Sequence, residues 1–160
     1  MLVDDLYKYE LFQDLDELGL KKLMQFAKLK RFKKGTEIFK QDQPGAGLFF
    51  ILDGHIRLLY SEIEDEVEIV DDLYAGDFFG ETTLFGDVKD REYTYKAINN
   101  VTGLWINTLE YRRLQNSGPA ELTKLLLRVI IGLTNSFRVK NSEFGKLKKE
   151  LEELQAESNE

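Results

Sequence analysis

Three rhythms of apolar residues follow one another along this chain. Over residues 2–28 the spacing is helical: Leu18, Leu20, Leu23, Met24, Phe26 and Ala27 form a stripe behind Asp14-Leu15-Asp16-Glu17, acids that suit a helix start. Two short helices are predicted there. From Leu29 to Thr108 the pattern breaks into short β segments. These are Thr36–Lys40, Gly47–Leu52, Ile56–Tyr60, Glu66–Val70 with period-two alternation, Thr94–Ile98 and Val101–Ile106. Asp53-Gly54, between the second and third, is a hairpin signal. Many short strands with no helix between them argue a small jelly-roll or cupin-like β-barrel, a mainly β class with flanking helices.

After Thr108 the helical period returns. Leu109–Gln115 reads as a short helix, Ser117-Gly118-Pro119 as a stop and restart, and Pro119 suits a first helical turn. No proline interrupts the sequence from there to Leu154. One heptad column holds Thr123, Ile130, Phe137, Phe144 and Leu151, and the other Leu126, Leu133, Lys140, Leu147 and Leu154. This is a coiled-coil seam, with Lys140 as a device for register or oligomer state. Such a helix, on the order of 50 Å long, outreaches a barrel of this size. Its distal half is expected to pair with a second copy of the chain, with Gly132 and Gly145 leaving room for a bend. The tail Glu157-Ser158-Asn159-Glu160 reads as frayed. The expected organisation is N-terminal helices over 1–28, a ligand-binding barrel over 29–108, and a short helix plus a long dimerisation helix over 109–160.

Composition narrows the function classes. The 160 residues, 42% of them hydrophobic, suffice for one domain with its own core. No apolar run is long enough to span a membrane, and the acidic start Met1-Leu2-Val3-Asp4-Asp5 is unlike a signal peptide, so a cytoplasmic location is expected. There is no cysteine and a single histidine, His55, read as an exposed residue after a turn. Thiolate catalysis and a histidine-ligated metal centre are thereby excluded, and no catalytic apparatus or cofactor is expected. The net charge of −7 argues against nucleic acid as a partner. The local cluster Lys28-Leu29-Lys30-Arg31-Phe32-Lys33-Lys34 reads as a solvated strand edge and turn.

The candidate chemistry lies in Gly76-Asp77-Phe78-Phe79-Gly80-Glu81-Thr82-Thr83-Leu84-Phe85-Gly86 and in Arg91-Glu92-Tyr93-Thr94 after it. Glycines leave peptide N–H groups uncovered, so they can face an anion. An acid and an arginine bracket the loop, and a guanidinium is a fixed-charge fork for phosphate oxygens. The same glycines could equally be conformational requirements of the barrel, and Glu81 and Arg91 a buried ion pair. Phe78, Phe79 and Trp105 read as core.

With Lys34-Gly35-Thr36-Glu37-Ile38-Phe39 and Leu48-Phe49-Phe50-Ile51-Leu52-Asp53-Gly54 ahead of it, this order of elements resembles the cyclic-nucleotide-binding domain family. That is the sensor domain of catabolite activator proteins, cyclic-nucleotide-dependent kinases and gated channels. The resemblance runs over roughly residues 10–140. It implies a phosphate-binding cassette built from Phe79, Gly80, Glu81, Thr82, Thr83 and Arg91. In it the Gly80 amide and Arg91 meet a cyclic phosphate, Glu81 accepts from the ribose 2′-hydroxyl, and Ser136 on the long helix (or Asn135) meets the base. Two positions depart from the family, which usually carries a small hydroxyl residue and then alanine where Glu92 and Tyr93 stand. Glu92 could ion-pair with Arg91 and take the phosphate's place while Tyr93 fills the pocket, or both could turn outward. The implied function is a dimeric regulatory module that binds cyclic AMP or cyclic GMP and signals to a partner protein, with no DNA-reading helix-turn-helix. The alternative is a degenerate, non-binding dimeric scaffold on the same fold.

Overall fold

The computed structural model describes residues 3–45, 47–62, 66–85 and 90–157. Gly86 of the glycine loop and Ser158–Glu160 of the tail lie outside the described residues, as do Met1 and Leu2. Two 3-10 turns, Val3–Leu6 and Glu10–Phe12, precede α1 (Glu17–Leu23). Eight strands follow: β1 Lys28–Phe32, β2 Glu37–Phe39, β3 Leu48–Asp53, β4 His55–Ser61, β5 Val67–Tyr74, β6 Phe78–Phe79, β7 Thr94–Ala97 and β8 Val101–Ile106. A one-turn helix α2 (Glu81–Phe85) sits between β6 and β7. The chain closes with α3 (Thr108–Ser117) and α4 (Pro119–Glu157).

The strands make two antiparallel four-stranded sheets, ordered β1-β8-β3-β6 and β2-β7-β4-β5. Between them lies a core of Phe49, Ile51, Ile56, Leu58, Phe79, Tyr95, Ala97 and Val101. A second core forms where the helices cover the outer face of the first sheet, and Leu48, Phe50 and Leu52 belong to it. β3 therefore buries both of its faces. This explains why Leu48-Phe49-Phe50-Ile51-Leu52 is an unbroken apolar run rather than an alternating one.

Asp53-Gly54 is not the hairpin its sequence predicts. β3 and β4 belong to different sheets, so Gly54, at φ +106°, turns the corner from one sheet to the other. The hairpin is instead β4–β5, where Arg57 stands directly across from Asp72. His55 is not exposed either. Its Nε2 lies 2.9 Å from Asp72 Oδ1, and its ring stacks on Tyr74 at 4.7 Å.

The N-terminal stripe is only partly right. Asp16 caps α1 by accepting from the Gly19 N–H at 2.7 Å, and Leu20 and Leu23 are buried. Leu18 faces out at 76% exposure, and the helix ends at Leu23, before Met24–Ala27. The strand edge read at Lys28–Lys34 is there, and one strand went unread. β1 is the edge of the first sheet, and β6 is too short to show a period.

α4 is one continuous 39-residue helix, about 60 Å long. Its first turns dock through Leu122, Leu125 and Val129 onto the core with α1 and β3. Arg128 forks onto Asp14 with bonds of 2.5 and 2.6 Å. Gly132 marks a close approach, not a bend: a Cβ there would stand 2.9 Å from the Phe78 ring. Lys140 pairs with Asp71 of β5 in its own chain. Ile130, Phe137, Phe144, Leu147, Leu151 and Leu154 are exposed, Phe144 at 68%.

Candidate functional site

Among the described residues Arg91 is the one charged side chain in the buried core, 2% exposed. Its backbone is pinned before β7 begins: its carbonyl accepts from the Asp42 N–H at 2.8 Å, and its N–H donates to the Gln43 carbonyl at 2.9 Å. That clamp aims the side chain between the two sheets. The guanidinium carbon lies 4.0 Å from the centre of the Phe39 ring, with Tyr95 at 5.6 Å, Phe79 at 5.9 Å and Trp105 at 6.0 Å. Phe79 stacks on Tyr95 at 4.2 Å, which fixes two walls of this aromatic box. Rings at such distances attract a cation through their π faces but accept no conventional hydrogen bond. Accordingly, Arg91 Nε and Nη2 are buried without a hydrogen-bond partner.

A second orphan stands nearby. Glu81 opens α2, and its Oε2 is also buried with no partner. These three atoms reach neither each other nor any other group, although opposite charges share the site. Burial raises the pKa of the Glu81 carboxyl; its own and the Gly80 backbone N–H groups and the Arg91 charge act the other way. Burial likewise lowers the pKa of Arg91, opposed by Tyr95 and Glu81, but a guanidinium stays charged at any working pH. Tyr95 is pushed up to about 12, first by burial. Each unsatisfied group costs free energy, and the site holds a donor fork and an acceptor at once.

Backbone geometry supports the same spot. Gly80 sits at φ +95°, and a Cβ on it would come within 2.2 Å of the Gly47 carbonyl oxygen and 3.1 Å of Arg91 Nη1. Only glycine fits at that approach. Thr83 turns back, its hydroxyl donating to the Gly80 carbonyl at 2.9 Å, and so closes the short helix on itself. Thr82 is exposed.

The sequence-predicted residues thus divide. Phe79, Gly80, Glu81, Thr83 and Arg91 gather around the interior site. Glu92 is exposed, so the built-in carboxylate that would occupy the phosphate's place is not there. Tyr93 is half-buried and packs edge-on against Tyr60 at 6.3 Å; it does not join the rings around Arg91. Ser136 is exposed on α4 and, with Asn135, lines a separate cleft of about 510 Å³ between α4 and β5–β6, next to Asp71, Leu73 and Phe78. Phe39, Tyr95 and Trp105 were missed as site residues. They come from three strands, and only the pairing of those strands brings them to one guanidinium.

Comparison with known proteins agrees with this fold. The profile of the family described as "Cyclic nucleotide-binding domain" matches residues 29–117. The CRP-like protein Clp of Xanthomonas campestris pv. campestris is 21% identical over 119 residues, 74% of this chain and 50% of that protein. The chain thus spans about half the length of the curated relatives it matches. A cyclic nucleotide-binding domain from Methylobacillus flagellatus KT superposes with a TM-score of 0.75 at 19% identity, covering 88% of this chain and 79% of the other. The Thermus thermophilus catabolite activator protein gives a TM-score of 0.70 at 21% identity, over 87% and 63%. Among the described residues no helix is long and apolar enough to cross a membrane. A barrel clasping one buried arginine behind a glycine turn, with the family profile covering residues 29–117, places this chain in the cyclic nucleotide-binding domain family.

Proposed function

We propose that this domain binds a cyclic mononucleotide, cyclic AMP or cyclic GMP, between its two sheets and passes the bound state to a protein partner as a dimeric regulatory module. One observation carries the reading: two guanidinium nitrogens, Arg91 Nε and Nη2, and one Glu81 carboxylate oxygen lie buried without partners in the same interior site. A ribose cyclic phosphate offers both complements, anionic oxygens for Arg91 and a hydroxyl donor for Glu81. The Gly80 turn, which permits close approach of backbone, supports the phosphate end. The exposure of Glu92 favours this reading over the degenerate scaffold, because its carboxylate does not take the phosphate's place beside the arginine.

On binding, Arg91 exchanges its ring contacts for the phosphate, and the shift passes through Phe79 and Phe78 to Gly132 of α4. The exposed apolar column from Ile130 to Leu154 supports pairing with a second α4. Calorimetric titration with each cyclic nucleotide tests the ligand: saturable heat that disappears in Arg91→Ala upholds the reading, and silence with both nucleotides removes it. Sedimentation of the chain ended at Ser142 tests the pairing. Monomers are expected, and intact dimers would place the interface elsewhere.

A further inference from the structure

β1 has a free edge. It ends its sheet, and among the described residues its only strand partner is β8. Five cations occupy the seven residues from Lys28 to Lys34 in a chain of net charge −7, and all five are exposed. None of Lys28, Lys30, Arg31, Lys33 and Lys34 sits in an ion pair among the described residues, whereas Lys22, Arg57, Arg128 and Lys140 each hold a carboxylate. Beside the edge, Phe32, Ile38, Phe39, Phe49 and Trp105 line an apolar dent of about 180 Å³ with Lys30 at its rim. A cavity of roughly 150 Å³ takes a benzene ring, so this dent has room for one leucyl or phenyl side chain.

We infer that the β1 edge is a docking site for an acidic, extended peptide segment of a partner protein, which adds as a strand beside β1 and seats one apolar side chain in the dent. Three separate features fit one occupant. Unpaired peptide groups along an edge are satisfied by another extended backbone and by little else. Lysines on an edge repel most strands, including a second copy of β1 itself, so they select one that carries acids. The dent then fixes register, because alternate side chains of the added strand fall on opposite faces. A nucleic acid would match the cations but leave the edge N–H and C=O groups unpaired, against the field of an acidic chain. Phe39 and Trp105 also belong to the rings around Arg91, but the dent opens at Lys30 and Phe32 and its occupant needs neither the orphan atoms of Arg91 and Glu81 nor a bound nucleotide.

The probe is a capped heptapeptide of six glutamates around a central leucine, added to the full chain without nucleotide. Trp105, the only tryptophan, lines the dent and reports occupancy. A saturable change in its emission is expected, together with slowed hydrogen exchange at the β1 amides facing away from β8. Glycine in place of the central leucine should weaken binding at least fivefold, and the double variant Lys30→Glu, Lys33→Glu at least tenfold. That variant changes only exposed side chains, and unaltered exchange in β3 and β8 confirms that it folds. Unchanged emission and β1 exchange at millimolar peptide would overturn the inference. So would equal binding of a heptapeptide with lysines for glutamates, or an oligothymidylate that protects β1 where the acidic peptide does not.

Discussion

Replacing Arg91 by methionine should make the ligand-free domain more stable while destroying its affinity. Methionine keeps an unbranched side chain among the rings of Phe39, Phe79, Tyr95 and Trp105 but removes the charge. Two buried nitrogens without partners disappear, and each such group costs about 1–3 kcal/mol. Against this, the lost cation–π attraction is about 2 kcal/mol at a desolvated site. Glu81 also loses a favourable opposite charge, so some of the gain is returned. The balance favours the variant by about 1–2 kcal/mol, or a rise of roughly 2–8 °C in midpoint for a domain of this size. Urea unfolding with an unchanged slope reads it directly. Cyclic-nucleotide affinity, measured in parallel, should fall by about 2–5 kcal/mol, thirtyfold or more, as when one partner of a buried charge pair is truncated. A variant about 3 kcal/mol less stable than the parent would refute the reasoning, since that is the signature of a guanidinium already satisfied by the fold.

Three further outcomes follow from the same geometry. The Glu81 carboxyl has a raised folded pKa, so its favourable contribution is present below its unfolded pKa and is lost as pH rises through the folded value. Glu81→Gln should therefore exceed the parent in stability at pH 7, with the advantage vanishing toward pH 4 in parallel urea melts; a constant offset would contradict the shift. Asp72, held down to about 2 first by its bonds to Arg57 and then by His55, contributes stability that is present above its ordinary pKa of 3.8. That contribution should fade as acid titration passes from pH 4 toward 2, and Arg57→Ala should flatten this part of the curve. Gly80→Ala must open a 2.2 Å contact with the Gly47 carbonyl oxygen at a positive φ, and should destabilise by about 1–3 kcal/mol or more in the same melts.

The fold was legible where one pattern dominated. Period-two alternation marked β5, the apolar run marked β3, and Pro119 marked the start of α4. Sheet membership was not legible, because Asp53-Gly54 has the same composition whether it closes a hairpin or turns between sheets. β6 escaped notice for want of length. Leu18 was counted in the helical stripe yet faced solvent, because two residues before Leu20 is the opposite face of α1. At the site, the glycine loop and Arg91 stood out through residue type and spacing. The rings around Arg91 did not, since Phe39, Tyr95 and Trp105 each look like ordinary strand residues until β2, β7 and β8 are paired. Lys140 showed only its place in the heptads, and its ion pair with Asp71 depends on where β5 runs beneath α4.

The central claim is that Arg91 Nε and Nη2 wait, without partners, for an anion between the sheets. The Nε–H resonance of Arg91, assigned by its loss in Arg91→Met and followed in nitrogen-15-labelled protein during a cyclic-nucleotide titration, tests this most directly. A saturating shift confined to the same concentration range as the calorimetric heat is predicted. A resonance that stays in place while nucleotide is bound, or that already shows a hydrogen-bonded position without it, would contradict the account.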